Sequence, residues 1–175
     1  MRNREHVLDE FVKKHSLLNG AELGVWRGRV YKFLLSKNPE LTLLGVDLYE
    51  PQIDNNGPEK WIKGESGHDW DHESYYNDII RFKESIGGRA KFIRDYTHKA
   101  CLKVEDDSLD FVFIDADHSF DSVSRDIKDW LPKVKNNGFI FGHDIDWPSV
   151  KKAVELNFGE NYSKESDNLW YVQLD

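Results

Sequence analysis

The sequence predicts an α/β fold of the Rossmann-like, doubly wound kind, with a mostly parallel sheet and an antiparallel strand pair at the C-terminal end. Two observations predict this fold. Short apolar segments, typical of buried parallel strands, alternate with segments of helical periodicity along most of the chain. The last two strand-like segments instead follow each other with no helix between them, as the strands of an antiparallel pair do.

The length and composition indicate one folded unit. A chain of 175 residues can bury a substantial core, so we expect residues 1–175 to form a single domain. An apolar content of 39%, with 6 Trp, 7 Tyr and 10 Phe, excludes a disordered chain although 32% of the residues are charged.

The first part of the chain predicts a helix followed by one β-α-β unit. Val7, Leu8, Phe11 and Val12 recur at helical spacing and indicate a helix that ends before Asn19-Gly20. The predicted elements are a helix over residues 3–16, a strand over 20–25, a helix over 29–36 and a strand over 41–47.

The rest of the sequence predicts an insert followed by the remaining helices and strands. Residues 50–75 are rich in Pro and Gly and show no clear period, which indicates a loop or lid. After it we predict a helix at 73–86, strands at 90–96, 109–115 and 138–144, amphipathic helices at 120–134 and 149–158, and the closing pair at 162–164 and 169–174.

Charge and hydropathy exclude several classes of partner. The net charge is −8 and no cluster of Lys and Arg is present, so duplex nucleic acid is not an expected partner. The sequence shows neither a signal peptide nor the ~20 apolar residues of a membrane span, so we expect a cytoplasmic protein that does not bind membranes. The single cysteine, Cys101, cannot form an internal disulfide and is interpreted as structural.

Glycines and an acid follow the first predicted strand. In the segment from Glu22 to Gly28, glycines allow the backbone to approach a ligand closely and the next helix presents its N-terminus. The segment lacks the full G-x-G-x-x-G pattern that holds a pyrophosphate, which disfavours an NAD-dependent oxidoreductase. Asp47 ends the second strand, where a carboxylate can accept hydrogen bonds from ribose hydroxyls. Together these features predict a site for an adenosine-type ligand.

A second group of polar residues follows the fourth and fifth strands. Asp115, Asp117 and His118 come directly after one apolar strand, and His143-Asp144 end the next. The carboxyl ends of neighbouring parallel strands meet at one edge of the sheet, so these side chains should converge. Carboxylates with one imidazole suit Mg²⁺ or Mn²⁺, and we predict Asp115, His143 and Asp144 as the metal ligands.

At Glu22 to Gly28 and at Phe113 to His118 the sequence resembles the class I S-adenosylmethionine (SAM) methyltransferases, over about residues 18–146. Among them it is similar to the small metal-assisted O-methyltransferases, such as those acting on macrolide sugars. The resemblance implies that a divalent ion draws in the substrate hydroxyl while His118 or Asp117 takes its proton. His143 departs from the pattern, since several of these enzymes have a carboxylate there. The residues expected to bind SAM are Glu22, Gly24, Val25, Gly28, Asp47, Leu48, Asp95 and Tyr96.

The predicted function is therefore SAM-dependent O-methylation of a small hydroxylated molecule, assisted by a divalent metal. The insert carries Trp61, His68, Trp70 and His72, which could cover the acceptor. The alternative is a non-catalytic protein that binds SAM or another adenosine ligand, although binding alone does not require Asp117, His118 or Asp144. The identity of the acceptor, including a sugar, a catechol or an amine, and the oligomeric state are open at this point.

Overall fold

The computed structural model describes residues 2–50 and 71–175. The helices in these ranges are α1 (Arg4–His15), α2 (Arg29–Lys37), α3 (His72–Ile86), α4 (Thr97–Ala100), α5 (Phe120–Trp130) and α6 (Pro148–Phe158). The strands are β1 (Asn19–Leu23), β2 (Thr42–Asp47), β3 (Ala90–Arg94), β4 (Leu109–Ile114), β5 (Val134–Gly142), β6 (Ser163–Lys164) and β7 (Trp170–Gln173). None of the helices in these two ranges combines the length and the apolar character needed to cross a bilayer.

The seven strands form a single sheet in the order β3-β2-β1-β4-β5-β7-β6. The first five strands pair in parallel, and β7 pairs antiparallel with both β5 and β6. The predicted fold class, a doubly wound sheet with an antiparallel C-terminal pair, is therefore confirmed. The order reverses between β1 and β4, which is where ligands bind in folds of this kind.

Side chains alternate between the two faces of the sheet and build one core on each. On β4, Phe111 and Phe113 pack into the core beneath α1, α2 and α3. Val112 and Ile114 pack into the opposite core, against α5 and α6. Cys101 lies buried in this second core, where burial raises the pKa of its thiol. A buried thiol of this kind is unreactive, as a structural cysteine should be.

The structure corrects the predicted boundary between the fifth helix and the fifth strand. The helical pattern was expected to include Val134, but α5 ends at Trp130 and a short 3-10 helix spans Leu131–Lys133. Pro132 lies in that turn and cannot donate a backbone hydrogen bond, so the α-helix does not continue. Val134 instead begins β5 and pairs with Leu109. The short helix α4 was not predicted.

Most of the predicted lid, residues 50–75, lies outside the described residues. Trp61, His68 and Trp70 belong to that part of the chain. His72 is the first residue of α3, whose N-terminus is capped by the Asp71 carboxylate, which accepts a hydrogen bond from the Ser74 backbone N at 2.9 Å.

A buried carboxyl group joins α5 to α4. The Asp126 side chain is almost fully buried, and its Oδ1 accepts a hydrogen bond from Thr97 Oγ1 at 2.5 Å. Burial raises the pKa of Asp126 to about 7, although the hydrogen bond from Thr97 opposes the shift. The carboxyl therefore stays protonated in the folded protein at pH values at which it ionises in the unfolded chain.

We expect Asp126→Asn to stabilise the protein in a pH-dependent manner. The folded protein retains the proton up to about pH 7 and the unfolded chain only to about pH 4, so wild-type stability falls as the pH rises through this window. Because asparagine does not ionise, the variant avoids this loss. Its free energy of unfolding, relative to that of wild type, should increase by about 2–4 kcal/mol from pH 4 to pH 8. Urea unfolding at both pH values tests this. Asp121→Asn, at an exposed position of α5, is the control; a pH-independent difference between Asp126→Asn and wild type would contradict the prediction.

Candidate active site

The turn after β1 has no room for a side chain at Gly24. Its φ is +85°, and a Cβ there would lie 2.2 Å from the backbone O of Asp115. Backbone hydrogen bonds hold the end of β1 between its two neighbours, from Gly24 N to Val46 O of β2 at 2.9 Å and from Asp115 N to Leu23 O at 2.8 Å. Gly28, with a φ of +74°, is the left-handed N-cap residue that precedes α2. Both glycines are therefore required by the backbone at this edge.

Asp47 connects the loops that follow β1 and β2. Its Oδ2 accepts a hydrogen bond from Trp26 N at 2.8 Å and its Oδ1 accepts one from Tyr49 N at 2.9 Å. The Tyr49 hydroxyl also donates to Trp26 O at 2.5 Å. A carboxylate has about four acceptor positions, so Asp47 retains capacity to accept hydrogen bonds from a ligand.

Glu22 is a buried acid beside this turn. Its side chain is only 3% exposed, and burial together with the charge of Asp115 raises its pKa well above the ordinary value, against the opposing effect of Arg4. Within the described part of the chain, its Oε2 has no hydrogen-bond partner. A buried acceptor without a partner is unfavourable, so this position favours a ligand that brings a donor or a positive charge.

The other predicted cofactor residues differ in what they can offer a ligand. The Val25 side chain is buried in the core, so it can offer only backbone atoms, and Leu48 is half-buried. Asp95 accepts hydrogen bonds from Tyr96 N at 2.9 Å and from Lys103 Nζ at 3.1 Å. The Tyr96 ring is exposed just beyond β3, where a planar ligand group can stack on it.

Asp115, His118 and Asp144 converge at the carboxyl edge, with one ligand atom of each within 4.8 Å of the others. His118 Nε2 lies 2.8 Å from Asp144 Oδ2 and 3.7 Å from Asp115 Oδ1. His143 adjoins the same carboxylates, with its Nδ1 3.1 Å from Asp144 Oδ1 and 3.7 Å from Asp115 Oδ1. Four of the five side chains singled out at the ends of β4 and β5 thus meet at one place, whereas Asp117, also expected there, is hydrogen-bonded to Ser119 and Ser122 instead.

The charges in this cluster stabilise one another. Burial disfavours the imidazolium of His118, but contacts with Asp115 and Asp144 outweigh it and raise the pKa of His118 to about 9. Burial likewise opposes the charge of Asp144, yet the two histidines hold the pKa of that carboxyl well below its usual range. At neutral pH the cluster therefore contains an imidazolium paired with carboxylates.

The two residues predicted as bases lie in different surroundings. Both carboxylate oxygens of Asp117 accept hydrogen bonds at the start of α5, from Ser119 N at 2.8 Å, from Ser119 Oγ at 3.2 Å and from Ser122 Oγ at 2.8 Å. The His118 ring instead lies against the half-exposed ring of Trp147, with centroids 5.0 Å apart. His118 is thus better placed to reach a substrate.

Arg4, which no sequence motif marks, reaches the same edge from α1. Its Nε lies 3.3 Å from Asp115 Oδ2, and its Nη1 lies 3.3 Å from His143 Nε2. No local pattern points to this contact, because Arg4 precedes the first strand and lies far from both partners in sequence. Trp147 was missed as well; an aromatic residue shortly after His143-Asp144 was the available signal.

Residues 21–145, more than half of the chain, match the family model of the methyltransferase domain. The chain belongs to the methyltransferase domain family. The predicted methyltransferase is confirmed at the level of the family. The matched region of this methyltransferase domain extends from β1 to just beyond Asp144, and therefore excludes Arg4 and Trp147.

Solved O-methyltransferases share the fold of this methyltransferase domain. NovP has a TM-score of 0.70 at 17% identity, covering 97% of this chain and 77% of NovP. CalS11, a TDP-rhamnose 3'-O-methyltransferase of calicheamicin biosynthesis, has a TM-score of 0.66 at 11% identity, covering 95% and 77%. A Staphylococcus aureus protein provisionally named a caffeoyl-CoA O-methyltransferase has a TM-score of 0.68 at 13% identity, covering 98% of this chain and 83% of that protein. At such identities the likeness shows a shared fold. No curated protein sequence matches the chain significantly.

Proposed function

We propose that the protein transfers the methyl group of SAM to a hydroxyl of a small molecule, with help from a divalent cation. The observation that carries this proposal is the convergence of Asp115, His118, His143 and Asp144 beside the Gly24 turn. SAM is already a reactive methyl donor, so the protein must mainly orient the acceptor and remove its proton. Imidazole and carboxylate groups next to a cofactor turn are suited to both tasks.

Each cofactor contact has a physical basis in the described residues. The turn from Gly24 to Gly28 lets the backbone approach the ligand, and Asp47 has free acceptor positions for the ribose hydroxyls. Glu22 would accept from the ammonium group of the methionine part, which would supply the partner that Oε2 lacks among the described residues. Tyr96 would stack on the adenine, and Asp95 would accept from its amino group.

Asp115, His143 and Asp144 would hold the cation. Two carboxylates and one imidazole suit Mg²⁺ or Mn²⁺, and when bound such an ion lowers the pKa of a coordinated hydroxyl. The group whose ligand atoms lie within 4.8 Å of one another contains His118 and not His143, but the His118 side chain is 31% exposed whereas that of His143, which also adjoins both carboxylates, is 10% exposed. We therefore assign His143 to the metal and His118 to the acceptor. A cation held by Asp115 and Asp144 would offset the contacts that raise the pKa of His118, and the neutral imidazole would then take the hydroxyl proton.

The proposed acceptor is a hydroxylated ring compound. Trp147 lies beside His118, and its half-exposed indole can pack against a sugar or an aromatic ring. The TDP-rhamnose named as the substrate of CalS11 supports an acceptor of this kind.

Wild-type protein is expected to bind S-adenosylhomocysteine and to be stabilised by it against heat. Asp47→Ala should weaken this binding by about 1–3 kcal/mol, because hydrogen bonds to a charged group are lost. Titration calorimetry measures both affinities. Absence of binding to wild type at millimolar ligand would refute the cofactor assignment, and unchanged affinity in the variant would refute the role of Asp47.

Methyl transfer itself is tested with a labelled donor and a panel of small hydroxylated acceptors, with and without Mg²⁺. We expect transfer to at least one sugar or phenolic hydroxyl, and loss of transfer when the divalent ion is removed by chelation. Binding of the cofactor without transfer to any acceptor would instead favour the non-catalytic alternative. Transfer that persists after chelation would remove the metal from the proposal.

A further inference from the structure

Arg4 places a positive charge at the cofactor edge from outside the region that matches the methyltransferase family. Its backbone N donates to Asp167 Oδ2 at 2.8 Å, which fixes the first turn of α1. The neighbouring Glu5 is buried and accepts hydrogen bonds from Arg29 Nε at 3.0 Å and from Arg29 Nη2 at 2.7 Å. Arg29 begins α2 directly after Gly28, so Arg4 is held in place relative to the cofactor turn.

The two oxygens of Asp115 face different neighbours. Oδ1 faces His118 and His143, each at 3.7 Å, and so belongs to the side proposed for the cation. Oδ2 faces Arg4 Nε at 3.3 Å. The backbone of Asp115 adjoins the Gly24 turn. Arg4 therefore contacts the Asp115 oxygen that does not face the two histidines, on a residue whose backbone adjoins the proposed cofactor turn.

The guanidinium has donors left for a ligand. Of its five N–H groups, the described residues provide a hydrogen-bond acceptor for Nη1, which contacts His143 Nε2. Nε is buried and, among these residues, makes an ion-pair contact with Asp115 but no hydrogen bond. Its charge also reaches the end of β1, where it opposes the rise in the pKa of Glu22. The Arg4 guanidinium thus lies near two acidic groups, Asp115 and Glu22, and has donors that no described residue fills. Such a group suits a ligand that carries both a positive and a negative charge.

We infer that Arg4 binds the carboxylate of the methionine part of SAM. This inference rests on the proposed function. An amino acid group needs an acceptor for its ammonium and a donor for its carboxylate, and Glu22 provides the first of these. Arg4 provides the second, since a guanidinium can pair with a carboxylate through two parallel hydrogen bonds. The residue thus selects cofactors that retain the complete amino acid.

The test compares the binding of SAM with that of its decarboxylated analogue, which keeps the sulfonium and the amine. Wild type is expected to prefer SAM by about 10- to 100-fold, the range for a charge-assisted pair. In Arg4→Gln the preference should fall to about threefold or less, with the loss confined to SAM. Arg2→Gln is the matched control, because Arg2 lies at the same end of the chain in exposed ion pairs with Glu10 and Glu165.

Comparing the two ligands distinguishes an unfolded variant, a failure of the inference about Arg4 and a failure of the proposed function. Binding of the decarboxylated analogue to Arg4→Gln at wild-type strength shows that the variant is folded. An equal preference for SAM in wild type and in Arg4→Gln would overturn the inference. Tighter binding of SAM to the variant would overturn it too, since Arg4 would then be competing with the ligand ammonium. Wild type that binds neither compound would refute the proposed function itself.

Discussion

Asp144→Asn is expected to lower the rate of methyl transfer by about 10²- to 10⁴-fold while leaving cofactor affinity nearly unchanged. The Asp144 carboxylate would contact the cation and both histidines at once. It would be an oxygen ligand of the cation, and it lies 2.8 Å from His118 Nε2 and 3.1 Å from His143 Nδ1. The substitution removes the charge and retains the size of the side chain, so the loss should fall on the chemical step.

The measurements are the turnover of labelled methyl donor and the affinity for S-adenosylhomocysteine by calorimetry. Asp146→Asn is the control, since it makes the same change at an exposed position two residues further along the loop. Full activity of Asp144→Asn would refute the catalytic cluster. Loss of activity in this variant, together with wild-type activity that survives chelation, would indicate that Asp144 acts only through the two histidines.

Gly24→Ala is expected to lower the free energy of unfolding by about 2–5 kcal/mol and to impair cofactor binding. The new Cβ would combine a positive φ with a distance of 2.2 Å to the backbone O of Asp115 and 2.6 Å to Ala116 Cα. Backbone atoms cannot rotate away as a flexible side chain can. The turns after β1 and β4 would have to separate, which would displace Asp115 from the cluster.

Urea unfolding and S-adenosylhomocysteine binding measure the two effects of Gly24→Ala. Gly87→Ala is the control, because Gly87 also has a positive φ, +81°, but no atom of the described residues lies within 4 Å of its would-be Cβ. It should lose about 1–3 kcal/mol from backbone strain alone and bind the ligand normally. Wild-type affinity and stability in Gly24→Ala would show that the contact with Asp115 relaxes readily.

The cluster at the ends of β4 and β5 could be predicted from the sequence, but the role of each residue could not. Asp115, His118, His143 and Asp144 were expected to meet because parallel strands present their carboxyl ends at the same edge, and they do meet. That expectation needed only the positions of two apolar segments and the rule that neighbouring strands align. The individual roles did not follow from it, since Asp117 belongs to the same short motif yet accepts hydrogen bonds from Ser119 and Ser122 at the start of α5.

Short apolar segments, helical periodicity and the glycines after the first strand were enough to predict the order of the elements other than α4, the sheet type and the position of the glycine turn after β1. These are local properties, repeated within a few residues, and so they can be read from the chain alone. The sequence pattern could not decide whether Val134 ends a helix or begins a strand, because pairing with Leu109 determines it. The burial of Asp126 and the approach of Arg4 to Asp115 likewise depend on which surfaces pack together. Contacts between residues distant in sequence carry no local periodic signal, so only the tertiary structure decided them.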